Sequence, residues 1–283
     1  MRTHLYLALM FVCLLTLNAA AQTSKAAASY SQRGFEKFQK GDLNGAIRDF
    51  DAAIALDPQG FAAYSNRGAA RLGKGDLDGA IRDFNKALEF NPRLAEAYNN
   101  RGNARLARGD IEGALADYTR AVKIKPSYAD ALYNRANIKR DHGDLAGAIK
   151  DYTAALNSNP RSVEAYNNRG NARYANGDIG GAVSDYTKAI EINPRTAFIY
   201  NGRGNALVVD SKLDRAIADY SKALELDPEF AEAYANRGLA LLAQGKTLEA
   251  ERDIERSLSL MPALKAALEA RINKVKREIA AKH

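Results

Sequence analysis

The stretch AEAYNNRGNARLARGDIEGALADYTRAVKIKP, residues 95–126, decides the fold. With variations it is written seven times between residues 27 and 262. The prolines mark the period. Pro58, Pro92, Pro126, Pro160, Pro194, Pro228 and Pro262 are all the prolines in the chain, each 34 residues from the next. A fixed period of that length is the signature of helix–turn–helix repeats, which bury their apolar faces only by stacking on one another.

Placing each proline at position 32 gives units 27–60, 61–94, 95–128, 129–162, 163–196, 197–230 and 231–262. Each unit reads as a helix A, a turn and a helix B. In the first five the turn is Gly41-Asp42, Gly75-Asp76, Gly109-Asp110, Gly143-Asp144 and Gly177-Asp178. Glycine closes helix A in the left-handed conformation, and aspartate caps the free amides of helix B. Units six and seven carry Ser211-Lys212 and Gly245-Lys246 there, which predicts looser turns. The proline is expected to end helix B and to open the next helix A, where its missing N–H does no harm.

Five further positions recur. Position 4 is Tyr30, Tyr64, Tyr98, Leu132, Tyr166, Tyr200 and Tyr234, and position 8 is Gly34, Gly68, Gly102, Ala136, Gly170, Gly204 and Gly238. Position 20 is Ala46, Ala80, Ala114, Ala148, Ala182, Ala216 and Ala250. Position 24 is Phe50, Phe84, Tyr118, Tyr152, Tyr186, Tyr220 and Ile254; position 27 is Ala53, Ala87, Ala121, Ala155, Ala189, Ala223 and Ser257. With the proline, this pattern resembles the tetratricopeptide repeat. The resemblance implies an all-α, right-handed α-solenoid of seven repeats, with helix A lining a concave groove. It also implies a role in protein–protein interaction, with a protein or peptide as partner.

Residues 263–283 follow the last proline. Leu264, Leu268, Ile272, Val275 and Ile279 share one helical face, which predicts a C-terminal capping helix over unit seven. This tail holds six basic and two acidic side chains, so the net charge of +7 is mostly its own. A broad basic groove for nucleic acid is not indicated. A basic amphipathic helix can also lie on an anionic membrane, which is the competing reading of the tail.

At the other end, residues 1–21 read as a secretory signal peptide. Arg2 gives the positive region, residues 5–17 (LYLALMFVCLLTL) the apolar run, and Ala19-Ala20-Ala21 the cleavage site. Residues 22–26 are expected as a short linker. Export to the periplasm or outside the cell follows, with Gln22 as the new N-terminus. Cys13 is the only cysteine and would leave with the signal. The alternative is a structural envelope component anchored by an uncleaved segment, the one case in which membrane contact is expected.

Two constellations stand beyond the packing pattern. Every unit has arginine at position 7 and aspartate at position 23: Arg33/Asp49, Arg67/Asp83, Arg101/Asp117, Arg135/Asp151, Arg169/Asp185, Arg203/Asp219 and Arg237/Asp253. A partly buried arginine needs a counter-charge, so bridges are expected within a unit or between neighbours. The competing reading is an arginine ladder for an acidic ligand. The second set is asparagine: Asn66, Asn100, Asn134, Asn168 and Asn236 at position 6, and Asn103, Asn137, Asn171 and Asn205 at position 9. Amides at these positions can hold an extended peptide backbone in the groove that the resemblance implies. They can equally bond to neighbouring helices, the stronger reading at position 9.

Catalysis has little footing. His4, His142 and His283 are spread over the signal, a turn and the terminus. No phosphate-binding glycine loop or H-E-x-x-H pattern is present. The expectation is a non-catalytic scaffold with no cofactor and no metal. The clamp for acidic C-termini found in some members of the family is not reproduced recognisably.

Overall fold

The computed structural model describes residues 2–281, with side chains from residue 21 onward. Among the described residues there are fifteen α-helices and no strand. They are α1 (Arg2–Gln39), α2 (Leu43–Leu56), α3 (Phe61–Gly73), α4 (Leu77–Phe90), α5 (Ala95–Ala107), α6 (Ile111–Ile124), α7 (Ala129–Asp141) and α8 (Leu145–Ser158). The remainder are α9 (Val163–Ala175), α10 (Ile179–Ile192), α11 (Ala197–Val209), α12 (Leu213–Leu226), α13 (Ala231–Ala243), α14 (Thr247–Leu260) and α15 (Lys265–Ala280). Odd-numbered helices up to α13 are the A helices and even-numbered ones the B helices.

The chain forms two compact units that divide within α7, after Ala131. In the first, α1 packs on α2, α2 on α3, α3 on α4, α4 on α5 and α5 on α6. In the second, the same sequential packing runs from α8 to α14, and α15 lies on α13.

The segment expected as a signal, 1–21, falls almost wholly outside the residues whose side chains are described. The linker expected at 22–26 is helical instead, part of α1. Its residues, Gln-Thr-Ser-Lys-Ala, include no glycine or proline to stop the helix, and Ala27-Ala28 continue it. Among the residues whose side chains are described, no helix is long and apolar enough to cross a membrane.

The helical pairs are set by their turns. Gly41, Gly75, Gly109, Gly143 and Gly177 have φ between +81° and +87°. The aspartate after each accepts from the backbone amide three residues on, as Asp110 does from Gly113 at 3.0 Å. That third residue is always glycine in these five turns: a Cβ on Gly113 would lie 2.2 Å from the Asp110 carboxylate. Repeats six and seven lose both parts, with Lys212/Arg215 and Lys246/Glu249, and make no side-chain cap. Their turns are not looser along the backbone. Ser211 takes φ 58°, and Lys212 N–H donates to Leu207 at 2.8 Å, the counterpart of Asp110 to Arg105. The left-handed residue and the backbone bonds fix the path, and only the side-chain cap is missing.

The prolines do not open the A helices. Helix B ends two residues earlier, and the next A helix starts three residues later, so Pro92 sits in the turn between α4 and α5. Pro262 alone starts a helical turn, the 3-10 segment Pro262–Leu264.

Each pair packs through small residues against an aromatic side chain. Phe50, Phe84, Tyr118, Tyr152, Tyr186 and Tyr220 are fully or almost fully buried beside the alanines at positions 20 and 27. The approach is close at position 8: a Cβ on Gly102 would lie 2.7 Å from the Tyr118 ring, while repeat four fits Ala136 there beside Tyr152. Repeat seven ends the array by changing its inner face. Ala235 and Leu239 stand where repeats three, five and six have asparagines, and α15 covers them with Leu268, Ile272 and Val275. The capping helix therefore lies on the A-helix side of repeat seven.

Candidate functional site

The seven arginines are spent on structure. Arg101 donates from Nε and Nη2 to the two oxygens of Asp117, at 2.9 and 2.6 Å. Arg169 donates to Asp185 in the same way, at 2.9 and 2.6 Å. Arg67 and Asp83, Arg135 and Asp151, and the pairs of repeats one, six and seven repeat this two-pronged contact. The third nitrogen, Nη1, crosses to helix B of the preceding repeat: Arg67 to Asp51, Arg101 to Asn85, Arg169 to Thr153, Arg203 to Thr187 and Arg237 to Ser221. In six repeats the guanidinium also lies over the position-4 tyrosine, 4.8–5.7 Å from the ring centre.

All seven aspartates are buried, and Asp185 most of all, with 1% of its surface exposed. The arginine is partly buried, and its partner lies deeper: Asp185 is an enclosed anion that offers no surface to a partner. Its burial is sustained because Arg169 and Arg173 together give it three N–H bonds, the last at 2.9 Å.

In repeats one to five a second cation reaches the same aspartate: Lys37, Arg71, Arg105, Lys139 and Arg173. The Arg33 hydrogen bonds, helped by Lys37, hold the Asp49 carboxyl at about 2. Burial alone would raise that of Asp151, but Arg135 and Lys139 overcome it and lower it. With these bonds in place, the arginines do not form a ladder for an acidic ligand. All seven join helix A to the B helix of their own repeat, and five also reach the B helix of the repeat before.

The position-9 asparagines accept from the position-24 tyrosines. Tyr118 donates its hydroxyl to Asn103 at 2.7 Å, Tyr186 to Asn171 at 2.7 Å and Tyr220 to Asn205 at 2.8 Å; Tyr152 does the same to Asn137. Burial pushes all four tyrosine hydroxyls up, so they stay protonated donors. The position-6 asparagines lean on their neighbours. Asn168 donates to the Tyr133 hydroxyl and the Asn137 oxygen on α7 at 3.0 and 3.2 Å, and Asn236 donates to Asn201 on α11 at 2.9 Å. Asn100 accepts from Asn99 at 3.3 Å, while Asn66 and Asn134 lie half-buried on α3 and α7. An amide whose oxygen has accepted one bond still has its NH2 to offer. Asn171 and Asn205 are in that state.

A large concavity lies in the second unit. It is a cavity of about 860 Å³ between α11, α13 and α15, with Tyr174, Asn201, Asn205, Val208, Val209, Asn236, Arg271 and Lys274 among its lining residues. Of these, Asn205 and Asn236 stand in the asparagine pattern of the sequence, whereas Asn201, Val208 and Val209 do not. Their signal lay in how repeat six departs from its neighbours: Gly202 at position 6, Val208-Val209 closing helix A, and a serine–lysine turn. Among the described residues no group of three or more His, Cys, Asp or Glu side chains gathers as a metal centre would need.

Family models described as TPR repeat match residues 34–75, 72–107, 102–139 and 211–245, and models described as tetratricopeptide repeat match 133–196 and 231–264. No curated protein matches the chain. Among solved structures, MamA is 25% identical with a TM-score of 0.55, over 58% of this chain and 96% of MamA. YrrB, described as a TPR protein with an unusual peptide-binding site, is 24% identical with a TM-score of 0.61, over 66% of this chain and 97% of YrrB. Pseudomonas aeruginosa PilF is 18% identical with a TM-score of 0.65, over 73% and 94%. At such identity, the last two likenesses are of fold alone. Together with the seven helical pairs, the matches make the chain a member of the tetratricopeptide repeat family, whose proteins are generally non-catalytic interaction scaffolds.

Proposed function

We propose that this protein is a non-catalytic scaffold of the cell envelope that takes an extended segment or helix of a partner protein against its A-helix face. One observation carries the reading. The cavity in the second unit leaves Tyr174, Val208 and Val209 exposed by 36%, 38% and 55%, beside the amides of Asn201 and Asn205. Exposed apolar side chains gathered in a concavity, with a few polar groups converging on it, fit the capture of another chain. The envelope location is supported by the composition of residues 1–21, which reads as a cleaved export signal. A second reading has its own support. Helix α1 runs unbroken from Arg2 to Gln39, so an uncleaved segment would join a membrane anchor directly to repeat one.

A photo-crosslinking residue tests the scaffold. Placed at Val208 in native cells, it should trap a partner chain; placed at Leu248, 74% exposed on α14, it should trap far less. Equal labelling at the two positions would sink the proposal. N-terminal sequencing of the recovered protein separates the two locations, since a start at Gln22 fits export and a start at Met1 fits the anchor.

A further inference from the structure

The polar groups of the cavity between α11, α13 and α15 all point one way. Arg271 donates to the oxygen of Asn236 at 2.9 Å, and Asn236 donates to the oxygen of Asn201 at 2.9 Å. Tyr220 donates to the oxygen of Asn205 at 2.8 Å. Each amide oxygen thus accepts a bond from within the protein, and the NH2 groups are what the cavity offers. The Nδ2 groups of Asn201 and Asn205 remain, and among the described residues they have no partner. A relay that begins at a guanidinium polarises each bond after it, so its last amide is a strengthened donor.

The spacing of these donors is informative. Asn201 and Asn205 are four residues apart on α11, a rise of about 6 Å. Carbonyls on one side of an extended chain recur every two residues, about 6.6–6.8 Å. Val208 continues the same stripe one turn further on. The charges do not select a sign: Arg271 and Lys274 face Glu232 and Glu278, and Lys274 lies 3.9 Å from Glu278. A charged occupant would need an excess of the opposite charge, which this cavity lacks.

The geometry points to this cavity as the dock for an extended, uncharged partner segment that lies along α11, gives two backbone carbonyls to Asn201 and Asn205, and puts an apolar side chain against Tyr174, Val208 and Val209. This rests on the scaffold reading above and sharpens it. The occupant runs along one A helix, where the asparagine pattern had suggested a chain crossing one rung per repeat.

The test uses the full-length chain and a phage library of random dodecapeptides, with the selected sequences resynthesised with blocked ends. Asn201→Asp and Asn205→Asp keep the oxygen that Asn236 or Tyr220 needs and turn the outward donor into an acceptor. Val209→Ser removes exposed apolar surface without touching the relay. Selected peptides should share an uncharged, apolar run and should lose about tenfold in affinity with each variant. Asn100→Ala, in the first unit, should leave binding unchanged. Selection of acidic or basic runs, or peptides indifferent to both Asn205→Asp and Val209→Ser, would overturn the dock. Peptides sensitive only to Asn100→Ala would also overturn it while leaving the scaffold standing. If no peptide is selected the dock fails as well, and crosslinking at Val208 then judges the scaffold separately. Should either aspartate variant unfold, as read by its circular dichroism, Val209→Ser decides alone.

Discussion

Asn171 on α9 and Tyr186 on α10 form one structural unit: the buried hydroxyl gives its proton to the amide oxygen at 2.7 Å. In repeats three to six each position-24 tyrosine faces an asparagine at position 9. Where Phe50, Phe84 or Ile254 stands instead, position 9 is Phe35, Ala69 or Leu239. The two positions change together because a buried hydroxyl needs an acceptor and a buried phenyl ring does not.

A double-mutant cycle should expose the coupling. Tyr186→Phe leaves the exposed Asn171 oxygen to water and should cost about 0.5–1.5 kcal/mol. Asn171→Ala strands the buried hydroxyl and should cost about 1–3 kcal/mol. The double variant should be less damaged than the sum by about 1 kcal/mol in urea unfolding. Strict additivity would show that the bond contributes nothing.

The turns offer a transplant. Lys212→Asp with Arg215→Gly copies the Asp-x-x-Gly cap of the first five repeats into repeat six and should raise stability by about 1 kcal/mol. Lys212→Asp alone should gain less, because the side chain at 215 crowds the carboxylate out of its capping position. The reverse change, Gly113→Ala, should displace Asp110 and lower the melting temperature. Thermal denaturation of the three variants checks this.

Acid should weaken the array through its aspartates. Asp49 holds a folded value of about 2, against an unfolded value near 4. The unfolded chain therefore takes up the proton first. The stabilisation is complete above about pH 4–5 and is lost as the pH falls toward about 2. Asp151 is lowered in the same direction by Arg135 and Lys139. The melting temperature should be flat near neutrality and drop through this window, with a shallower drop in Asp49→Asn. At the alkaline end the buried tyrosines have raised values, so stability should decline again above about pH 10, where the unfolded phenols ionise. An acid limb unchanged in Asp49→Asn would remove Arg33–Asp49 from the explanation.

Much of this was legible in residue spacing. The proline period located the units, and the Gly-Asp pairs located most of the turns. Arg101 and Asp117 announced their bridge because both recur in every repeat. The depth of Asp185 was not announced, because it depends on Arg173 reaching in from the next turn of α9. The Asn103–Tyr118 pairing was also written there, in the co-occurrence of two residue types, but it shows only when positions 9 and 24 are read against each other. The cavity was not legible. It depends on where α15 lies, and a row of five apolar residues says that a helix will pack without saying on which face. Ala235 and Leu239 held that information, since they make the inner face of repeat seven apolar and so receive Leu268 and Ile272.

The arginine that crosses to the preceding repeat meets an acid at Asp51, an amide at Asn85 and hydroxyls at Thr153, Thr187 and Ser221. A guanidinium accepts any of these oxygens because its planar fork asks only for a lone pair in its plane. Five repeats thus carry the same plug at their front, each meeting a tolerant socket on the repeat before it. Such a joint lets a gene grow by copying a 34-residue cassette. A freshly duplicated repeat would fit its neighbours on arrival, and its inner face could then diverge while the coupling stayed intact.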